Sequence, residues 1–538
     1  MKNDRLTYIK NIILPCLVFS VITGIFTGAL IFLFKICASA VISLSQDIYA
    51  FVRTEPIYLP LLVLGAAAIA LLSALILKLS HNCRGGGIPT AVAILRGLIT
   101  FHWLKSIFML FASAMLTYLG GIPLGNEGPS VQMGTAVGRG TVRIFGKKNE
   151  AWDRYIMTGG ACAGFAAATG APISGIFFAL EEAHRRFSPM ICMVASTAVI
   201  AGTATMEFLC SLAGISSSMF SFTADSVLPL KYIWSQVAVG VVCGVSAILF
   251  TKLYRSVSVV IGTKLHKLPF TVKIVTVFVL VSLIGFVSAD CLGSGHSLIE
   301  AVAEGHGVWY LILLYLCVRA ILLIVANNAG VTGGLFVPSL AFGAMIGALC
   351  GQALTALNLI PDQYFTVTVI TGMASFLSAS SRTPITAIIF SVEALCGFSN
   401  ILPITAGVTF AFLVIEAWGI TSFTDTVIEG KVKRHNAGKV ASVIDTHLTV
   451  QRGSFAVGKE IRDILWPPTC TVLSIQKAHG AASGTHGGIE EGDVLHVHYQ
   501  TYDEHHSTEL LEAILGKQSK DLHAKAHTVN DDHVVPEL

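Results

Sequence analysis

The sequence "PLGNEGPSVQMG", residues 123–134, places one acid, Glu127, in a long apolar stretch of the chain. Glycines stand on both sides of it, and Pro129 follows. Proline is tolerated in the first turn of a helix, where its missing N–H would have no partner, and glycine lets the backbone approach a ligand closely. The segment therefore predicts a helix that begins at this point with a carboxylate at its start.

The composition of the whole chain is that of a membrane protein. Of 538 residues, 54% are hydrophobic and 12% are charged, whereas about a quarter of the residues of a soluble domain are charged. Residues 11–34 and 320–361 carry no charge, and each run exceeds the roughly 20 apolar residues that cross a bilayer. We interpret the first run as a retained anchor, because it lacks the small-residue cleavage site of a signal peptide.

Neither the charge nor the cysteines indicate another class of protein. A net charge of +3 gives no reason to expect nucleic-acid binding. Eleven of the twelve cysteines, from Cys16 to Cys396, stand singly in apolar segments, which is typical of small core residues. Because no GxxxxGK[ST] loop is present, we expect an ion gradient and not ATP as the energy source, and we predict no cofactor.

The distribution of charge divides the chain into parts. Basic residues cluster near the start of the chain, at 139–154, at 252–273 and again near residue 431, where the apolar sequence ends. Since cytoplasmic loops are enriched in Lys and Arg, we predict a multi-pass protein of the plasma (inner) membrane with both termini in the cytoplasm. The predicted parts are a membrane part at 1–432, a linker at 433–444, a cytoplasmic domain at 445–520 and a flexible tail at 521–538.

The membrane part contains an internal repeat. Two segments recur, "PSVQMG" (129–134) as "PSLAFG" (338–343) and "PISGIFFALE" (172–181) as "PITAIIFSVE" (384–393). Their offsets, 209 and 212 residues, agree within three. We therefore predict two homologous halves, at roughly 10–220 and 230–430, an organisation that many secondary transporters share.

Three glycine- and proline-containing breaks interrupt the apolar sequence, at 83–91, 125–129 and 333–338. A helix that begins inside the membrane points unpaired N–H groups and about half a positive charge at whatever lies ahead of it. Such ends bind anions, and several of them together hold a permeant anion without a full cation that would hinder its release. We predict a small-anion site formed by backbone dipoles.

Glu127 would compete with that anion. When it is ionised, its carboxylate can occupy the position that the substrate takes, and when it is protonated it has no reason to stay there. We interpret Glu127 as a gate operated by a proton. The alternative is a glutamate in a solvated loop between helices, against which stands the cost of an intramembrane carboxylate.

The membrane part resembles the CLC family of chloride channels and proton-coupled chloride transporters. The resemblance rests on three signatures in order, "GGGIP" at 85–89, "GNEGP" at 125–129 and "GGLFVP" at 333–338. It implies an all-α polytopic membrane fold, with two inverted-topology repeats of tilted, partly re-entrant helices. It also implies a homodimer with one anion pathway per subunit.

The same resemblance assigns roles to residues. Glu127 corresponds to the external gating glutamate and proton carrier, and the backbone amides of Leu335 and Phe336 to those that bind the central anion. The anion site that it implies comprises Gly86, Gly87, Ile88, Glu127, Gly128, Leu335, Phe336, Val337 and Thr424.

A second acid distinguishes exchangers from channels in this family. Glu182 falls where coupled exchangers tend to have an internal proton-relay glutamate and where known channels have an apolar residue. Without the resemblance, Glu182 would be interpreted as a solvated charge at a cytoplasmic helix end, since Arg185 and Arg186 follow closely. Its neighbour Glu181 recurs as Glu393, so we expect Glu181 to make a structural hydrogen bond common to both halves.

The sequence departs from the family pattern at two anion-site positions. Gly86 stands where the family usually has a serine hydroxyl. The tyrosine that usually closes the site from the cytoplasm falls within "TSFTDT", with Thr424 as the best alignment and Phe423 as the alternative. We therefore expect weaker central binding, lower selectivity among chloride, bromide and nitrate, and leakier coupling.

The polar C-terminal part has the pattern of a small α+β domain. Strands are predicted at 470–478 and 492–501 and a helix at 507–516. The pattern resembles the TrkA-C domain of potassium-transport regulators, which implies dimerisation and a small regulatory ligand. His496 and His498 share a strand face, which is compatible with a metal or pH sensor, but a solvated face with an incidental pair is the simpler interpretation and no metal site is predicted.

We predict a proton-coupled chloride antiporter that is gated by Glu127. The alternatives within the family are a passive anion channel, or an exchanger with relaxed selectivity for nitrate, bromide or fluoride. From other classes, a proton-coupled carrier of a small organic carboxylate would also use helix ends as anion receptors, and a sensor that transports nothing would use the C-terminal domain.

Overall fold

The computed structural model describes residues 13–85, 87–145, 150–224, 226–265, 267–436, 438–478, 488–518 and 525–529. Within these residues, eight helical segments are long and apolar enough to cross a membrane. The predicted all-α membrane fold with a small strand-containing C-terminal region is confirmed.

The first half of the membrane part mixes long helices with short ones that cannot span a bilayer. The helices are α1 (Leu14–Thr54), α2 (Leu59–Leu79), α3 (Gly87–Leu95), α4 (Trp103–Leu119), α5 (Glu127–Phe145), α6 (Glu150–Thr169), α7 (Pro172–Phe178) and α8 (Pro189–Ala213). Helices α3, with 9 residues, and α7, with 7, are the partial-length helices.

The second half repeats this order of long and short helices. It consists of α9 (Ile233–Thr263), α10 (Phe270–Val287), α11 (His296–Ala303), α12 (Trp309–Ala329), α13 (Phe336–Ala356), α14 (Phe365–Ser381), α15 (Pro384–Ser391), α16 (Ile401–Trp418) and α17 (Phe423–His435). A π-helical turn follows the second short helix of each half, at Ala179–Ala183 after α7 and at Val392–Cys396 after α15.

Matching glycines pack matching helices in the two halves. Gly134 of α5 faces Gly160 of α6 so closely that a Cβ on either would collide with the other's carbonyl group. Gly343 of α13 and Gly372 of α14 are related in the same way. These pairs are separated by 209 and 212 residues, the offsets of the repeated segments. The predicted repeat is therefore present in the helix packing.

Two glutamates cap the short helices of opposite halves. The Glu181 carboxylate accepts hydrogen bonds from the N–H groups of Ile385 and Thr386, at 3.0 and 2.7 Å, at the start of α15. The Glu393 carboxylate accepts from Ile173 and Ser174, each at 2.8 Å, at the start of α7. A carboxylate that satisfies the N–H groups of a first turn stabilises a helix. The predicted structural role of Glu181 is confirmed.

We expect Glu181→Ala and Glu393→Ala to destabilise the protein to a similar extent, by about 0.5–2 kcal/mol each, because each leaves a helix start without its acceptor. Thermal unfolding in detergent would measure the loss. Glu55→Ala, at an exposed acid between α1 and α2, is the control and should leave the unfolding temperature unchanged. Unequal losses, with one glutamate variant as stable as the control, would contradict the reciprocal capping.

The C-terminal domain is a small antiparallel sheet covered by one helix. Its elements are β1 (Ala441–Thr449), β2 (Thr471–Gln476), β3 (Val494–Thr501), α18 (Glu504–Leu515) and β4 (Lys525–Val529). The strand order is β2-β3-β1-β4. Strand β4 falls in the segment predicted as a flexible tail, and pairing along the edge of β1 accounts for the difference because it satisfies the strand's backbone groups.

Two side chains of helix α6 hold this domain against the membrane part. Arg154 is buried and donates to the backbone oxygens of Leu465, at 2.8 Å, and of Leu95, at 3.0 Å. The Tyr155 hydroxyl donates to the backbone oxygen of Asp463 at 2.6 Å and accepts from the N–H of Leu465 at 3.0 Å. A buried guanidinium that joins backbone from both parts makes their contact specific.

Lys459 of the C-terminal domain makes the stability of the protein sensitive to pH. Burial lowers the pKa of Lys459 to about 7, although Cys16 and Asp463 oppose the shift. A lysine in the unfolded chain keeps its proton up to about pH 10. Between about pH 7 and pH 10, folding therefore releases a proton from Lys459. The free energy of unfolding rises with pH across this range. Unfolding temperatures across this range should therefore climb more steeply for the wild type than for Lys459→Met, and parallel curves would contradict the shift.

Candidate functional site

Three helix starts meet at one point inside the membrane part. Gly125, before α5, and Gly334, before α13, exchange two backbone hydrogen bonds with N to O distances of 2.9 and 2.6 Å. The N–H of Gly87, the first residue of α3, donates to the backbone oxygen of Gly333 at 3.2 Å. The three breaks that the sequence marks are thus brought together, although more than 200 residues separate the first from the last.

The backbones at this junction are too close for any side chain. A Cβ on Gly128 would stand 2.6 Å from the Cα of Gly334 and 3.1 Å from the nitrogen of Gly87. A Cβ on Gly87 would in turn collide with the carbonyl group of Gly128. Because glycine alone permits this approach, these positions bring the first turns of the three helices together.

We expect Gly128→Ala to separate the helix starts, to destabilise the protein by about 1–3 kcal/mol and to reduce anion flux. Gly65→Ala is the matched control, because nothing lies within 4 Å of a Cβ at that position of α2. It should be neutral or stabilise the helix by up to about 1 kcal/mol. Thermal unfolding and anion efflux from liposomes measure both effects, and wild-type values for Gly128→Ala would disprove the close contact.

Glu127 is completely buried beside the junction. A Cβ on Gly125 would collide with Oε2 of Glu127, so the carboxylate lies over the segment that precedes α5. It faces its own backbone N–H group and that of Val337 in the first turn of α13. Among the described residues, however, neither carboxylate oxygen accepts a hydrogen bond of ordinary geometry. Such a buried, unbonded carboxylate is costly, and a functional role is the usual explanation.

The first residues of α13 present unbonded N–H groups to the same region. Leu335 and Phe336 are both 6% exposed. Among the described residues, no acceptor takes a hydrogen bond from the N–H of either, while the backbone oxygen of Leu335 accepts from Ser339. These N–H groups are the unpaired donors of a helix start, which is where an anion binds.

A chain of ring contacts leads from this helix start to the second predicted acid. Phe336 meets Phe165 and Phe390 edge-on, with ring centroids 5.1 Å apart in each pair. Phe165 stacks on Phe178 at 5.4 Å. Phe178 ends α7 and directly precedes the π-helical turn of Glu182. The regions of the two acids are therefore connected through packed aromatic rings.

The remaining predicted anion ligands lie at the starts of α3 and α17. Gly86 lies outside the described residues. Ile88 is buried in the first turn of α3. Phe423 begins α17 and is buried, with its ring edge-on to that of Tyr254 at 4.9 Å, while Thr424 after it is half-buried. Of the two candidates for the closing residue, Phe423 is thus the one packed into the interior.

Glu182 is buried, with 8% of its surface exposed. Arg96 donates to its backbone oxygen at 2.9 Å and lies 3.7 Å from the carboxylate of Asp425. Arg185 pairs with the same Asp425 at 2.5 Å. The Glu182 side chain therefore lies near Asp425, Glu181 and two guanidinium groups, and it is not a solvated charge at a helix end.

Sequence reasoning missed two members of this cluster. Asp425 stands three residues after Ser422, whose hydroxyl accepts the N–H of Asp425 and caps α17. That Ser-x-x-Asp spacing before an apolar run is a recognisable capping signal. No sequence pattern around Arg96 indicates its role, because its partners, Glu182 and Asp425, come from segments that are distant in the sequence.

The histidine pair of the C-terminal domain is engaged by an acid. His496 on β3 bonds to Asp445 on β1, and Nδ1 of His498 lies 3.7 Å from the same carboxylate. The hydrogen bond from His496 lowers the pKa of Asp445. In the part of the chain that the structure describes, no group of three or more His, Cys, Asp or Glu is arranged to hold a metal ion.

Comparison with known proteins gives one family and one fold. A family model described as voltage gated chloride channel matches residues 68–416. A slow cyanobacterial Cl-/H+ antiporter is similar in structure, with a TM-score of 0.71 and 23% identity over 78% of this chain and 99% of its own. A eukaryotic CLC transporter has a TM-score of 0.65 and 19% identity over 78% of its chain and 83% of this one. A CLC-type fluoride/proton antiporter has a TM-score of 0.62 and 20% identity, covering 77% of this chain and 97% of its own.

Proposed function

The chain belongs to the voltage gated chloride channel family, and from that premise we propose that it exchanges chloride or a similar small anion for protons across the membrane. Members of the family are transporters and channels, so the chain is not an enzyme. In the proposal, Glu127 is the gate and external proton carrier and Glu182 is the internal proton relay.

One observation carries the proposal: a buried, unbonded carboxylate and the unbonded N–H groups of a second helix start face the same junction. Glu127 faces the N–H of Val337, next to the free N–H groups of Leu335 and Phe336. A halide and the ionised carboxylate would compete for such donors, because both are anions. Protonation removes the charge of Glu127. The neutral side chain no longer competes for the N–H groups, so proton binding to Glu127 and anion binding to these donors occur together.

The burial of Glu182 favours exchange over a passive channel. A channel needs no second acid, and burying an acid costs free energy even beside cations such as Arg96 and Arg185. Glu182 instead lies in a π-helical turn, a local irregularity that is frequent at functional sites. Two of the similar structures are described as proton antiporters, one for chloride and one for fluoride.

The proposal extends to the assembly and the C-terminal domain. We place the protein in the plasma (inner) membrane as a homodimer, with one pathway per subunit and both termini in the cytoplasm. The domain at 445–520 acts as a TrkA-C-like regulatory module that binds a small ligand. The contact of Arg154 with Leu465 gives such a module a direct connection to the membrane part.

Flux through purified protein in liposomes tests the proposal, with halide and pH electrodes recording together. A chloride gradient should drive protons uphill, and the proton flux should collapse when chloride is replaced by an impermeant anion. Chloride flux without proton movement would indicate a channel, and transport of small carboxylates in competition with chloride would indicate the carrier class. No flux of either kind would indicate a sensor.

Anion selectivity tests the consequence of Gly86 and of a phenylalanine or threonine, Phe423 or Thr424, at the position that closes the site. Because we expect low selectivity, nitrate, bromide and fluoride supplied in place of chloride should each support proton movement. If one of these anions were strongly preferred, that anion would be the substrate, and the expectation of low selectivity would be wrong.

A further inference from the structure

A cavity of about 660 Å³ opens in the membrane part beside the C-terminal domain. It shares Thr100 and His435 with the neighbouring groove that residues of the C-terminal domain line. We call it the basic cavity, after six of its lining side chains: His81, Arg84, Lys273, Lys431, Arg434 and His435. They come from both halves of the membrane part.

The charge around the basic cavity is of one sign. Four lining side chains are Lys or Arg, and among the described residues none that lines the cavity is acidic. The positive field also acts on His81, because the charge of Arg84 is the main cause of the lowered pKa of that histidine. A cleft lined by one sign of charge concentrates ions of the opposite sign.

Local contacts orient Arg84 and Lys431 around the space, and because burial lowers the pKa of Lys431 to about 7, a bound anion would favour its protonated form. The guanidinium of Arg84 lies over the ring of Phe270 at 4.0 Å and donates from Nε to the backbone oxygen of Leu77 at 2.9 Å. Lys431 donates to the backbone oxygen of Arg84 at 2.7 Å and bonds to the hydroxyl of Thr90. Ordered cations lose little freedom when a ligand binds.

The size of the cavity indicates which anion it takes. Its volume is within the range of small-molecule sites, about 300–1,000 Å³, and far exceeds what a halide fills. Guanidinium groups match the oxygens of a phosphate in planar pairs, and lysine binds phosphate as a point charge. From these observations we propose that the basic cavity binds a phosphate-bearing anion, either the headgroup of an anionic lipid or a soluble phosphate compound.

The location gives an occupant access to the anion pathway. Arg84 immediately precedes the "GGGIP" segment, and Gly85 donates to the backbone oxygen of Gly330 at 3.1 Å. Lys431 holds the same loop through the backbone oxygen of Arg84. A phosphate that contacts Lys431 therefore acts on the segment from which α3 begins.

Binding of inorganic pyrophosphate to the full-length protein in neutral-lipid nanodiscs tests the proposal, with isothermal titration calorimetry in 150 mM chloride as the measurement. The test variant is Lys273→Ala with Arg434→Ala, both on the cavity wall. The charge-matched control is Lys264→Ala with Lys433→Ala, which removes two exposed cations from outside the cavity. We expect saturable binding that the test variant weakens by about 100-fold and the control by less than about twofold.

Nanodiscs that contain an anionic phospholipid distinguish the two sources. If a lipid headgroup is the natural occupant, pyrophosphate binding should weaken there for the wild type, and the wild type should retain more co-purified anionic lipid than the test variant. If the occupant is soluble, pyrophosphate should bind equally in neutral and anionic nanodiscs.

Two results would overturn the proposal. One is the absence of both saturable pyrophosphate binding and variant-sensitive lipid retention. The other is equal weakening by the test and control variants, which would assign the effect to net charge. Neither result depends on proton coupling, since binding is measured without a gradient, so a failure here is distinct from a failure of the exchange mechanism.

Discussion

Replacing Glu127 with glutamine is expected to abolish proton movement coupled to chloride, down to the leak of protein-free liposomes. Glutamine keeps the shape of the side chain but neither binds and releases a proton near neutral pH nor competes as an anion for the N–H groups that Glu127 faces. Chloride should still move down its gradient, because the donors at Leu335 and Phe336 remain.

The measurement is simultaneous chloride and proton flux in liposomes under a chloride gradient. Glu55→Gln, at an exposed acid, is the control for loss of one carboxylate and should keep wild-type coupling. Gel filtration and unfolding temperature in detergent establish that the buried substitution leaves the protein folded. Stoichiometric proton uptake by Glu127→Gln would exclude Glu127 as the proton carrier.

Replacing Glu182 with glutamine is expected to stop protons while chloride continues to pass. Glu182 is buried near Arg96, Arg185 and Asp425, whereas the helix starts that meet beside Glu127 are those of α3, α5 and α13. The substitution therefore removes a proton-binding group without altering the donors to the anion. The expected result is chloride flux near the wild-type rate with proton flux at background.

The adjacent acid is a stringent control for this experiment. Glu181→Gln changes the neighbouring carboxylate, which caps α15 through Ile385 and Thr386. We expect it to lower stability and to leave the ratio of protons to chloride unchanged. If Glu181→Gln lost coupling while Glu182→Gln kept it, the two roles would have been assigned the wrong way round.

The helix starts could be predicted from the sequence because their chemistry is local. A glycine before and a proline after a start are readable without knowing the fold, and the structure begins α5 at Glu127 and α13 at Phe336. The repeat was also readable, because two segments of the first half recur in the second at offsets of 209 and 212 residues. Local backbone chemistry and duplication therefore predict much of the membrane part.

The surroundings of Glu182 could not be predicted because they are made by distant segments. Arg96 ends the first short-helix region, and Asp425 lies more than 300 residues later at the start of α17. Nothing in the spacing around either residue indicates that they meet. A charge at a helix end looks solvated in sequence, and only tertiary packing reveals that Glu182 is buried.

The contact between the membrane part and the C-terminal domain could not be predicted from the sequence either. Arg154 lies in a basic stretch that suggests a cytoplasmic loop, yet it is buried and bonds to backbone oxygens of Leu95 and Leu465. A backbone oxygen can accept a hydrogen bond whatever the side chain of its residue, so the sequence does not indicate which residues accept from Arg154. For the same reason, strand β4 was missed, since it is held by pairing with β1 and not by an apolar pattern of its own.

Anomalous diffraction from bromide in crystals of the wild type and of Glu127→Gln would show whether the anion and the carboxylate occupy one site in turn. We predict a bromide peak at the N–H groups of Leu335 and Phe336 in both crystals. A second peak, at the position that the Glu127 carboxylate takes in the wild type, should appear in the Glu127→Gln crystals only. Bromide bound away from the junction of Gly87, Gly128 and Gly334, or identical peaks in both crystals, would contradict this prediction.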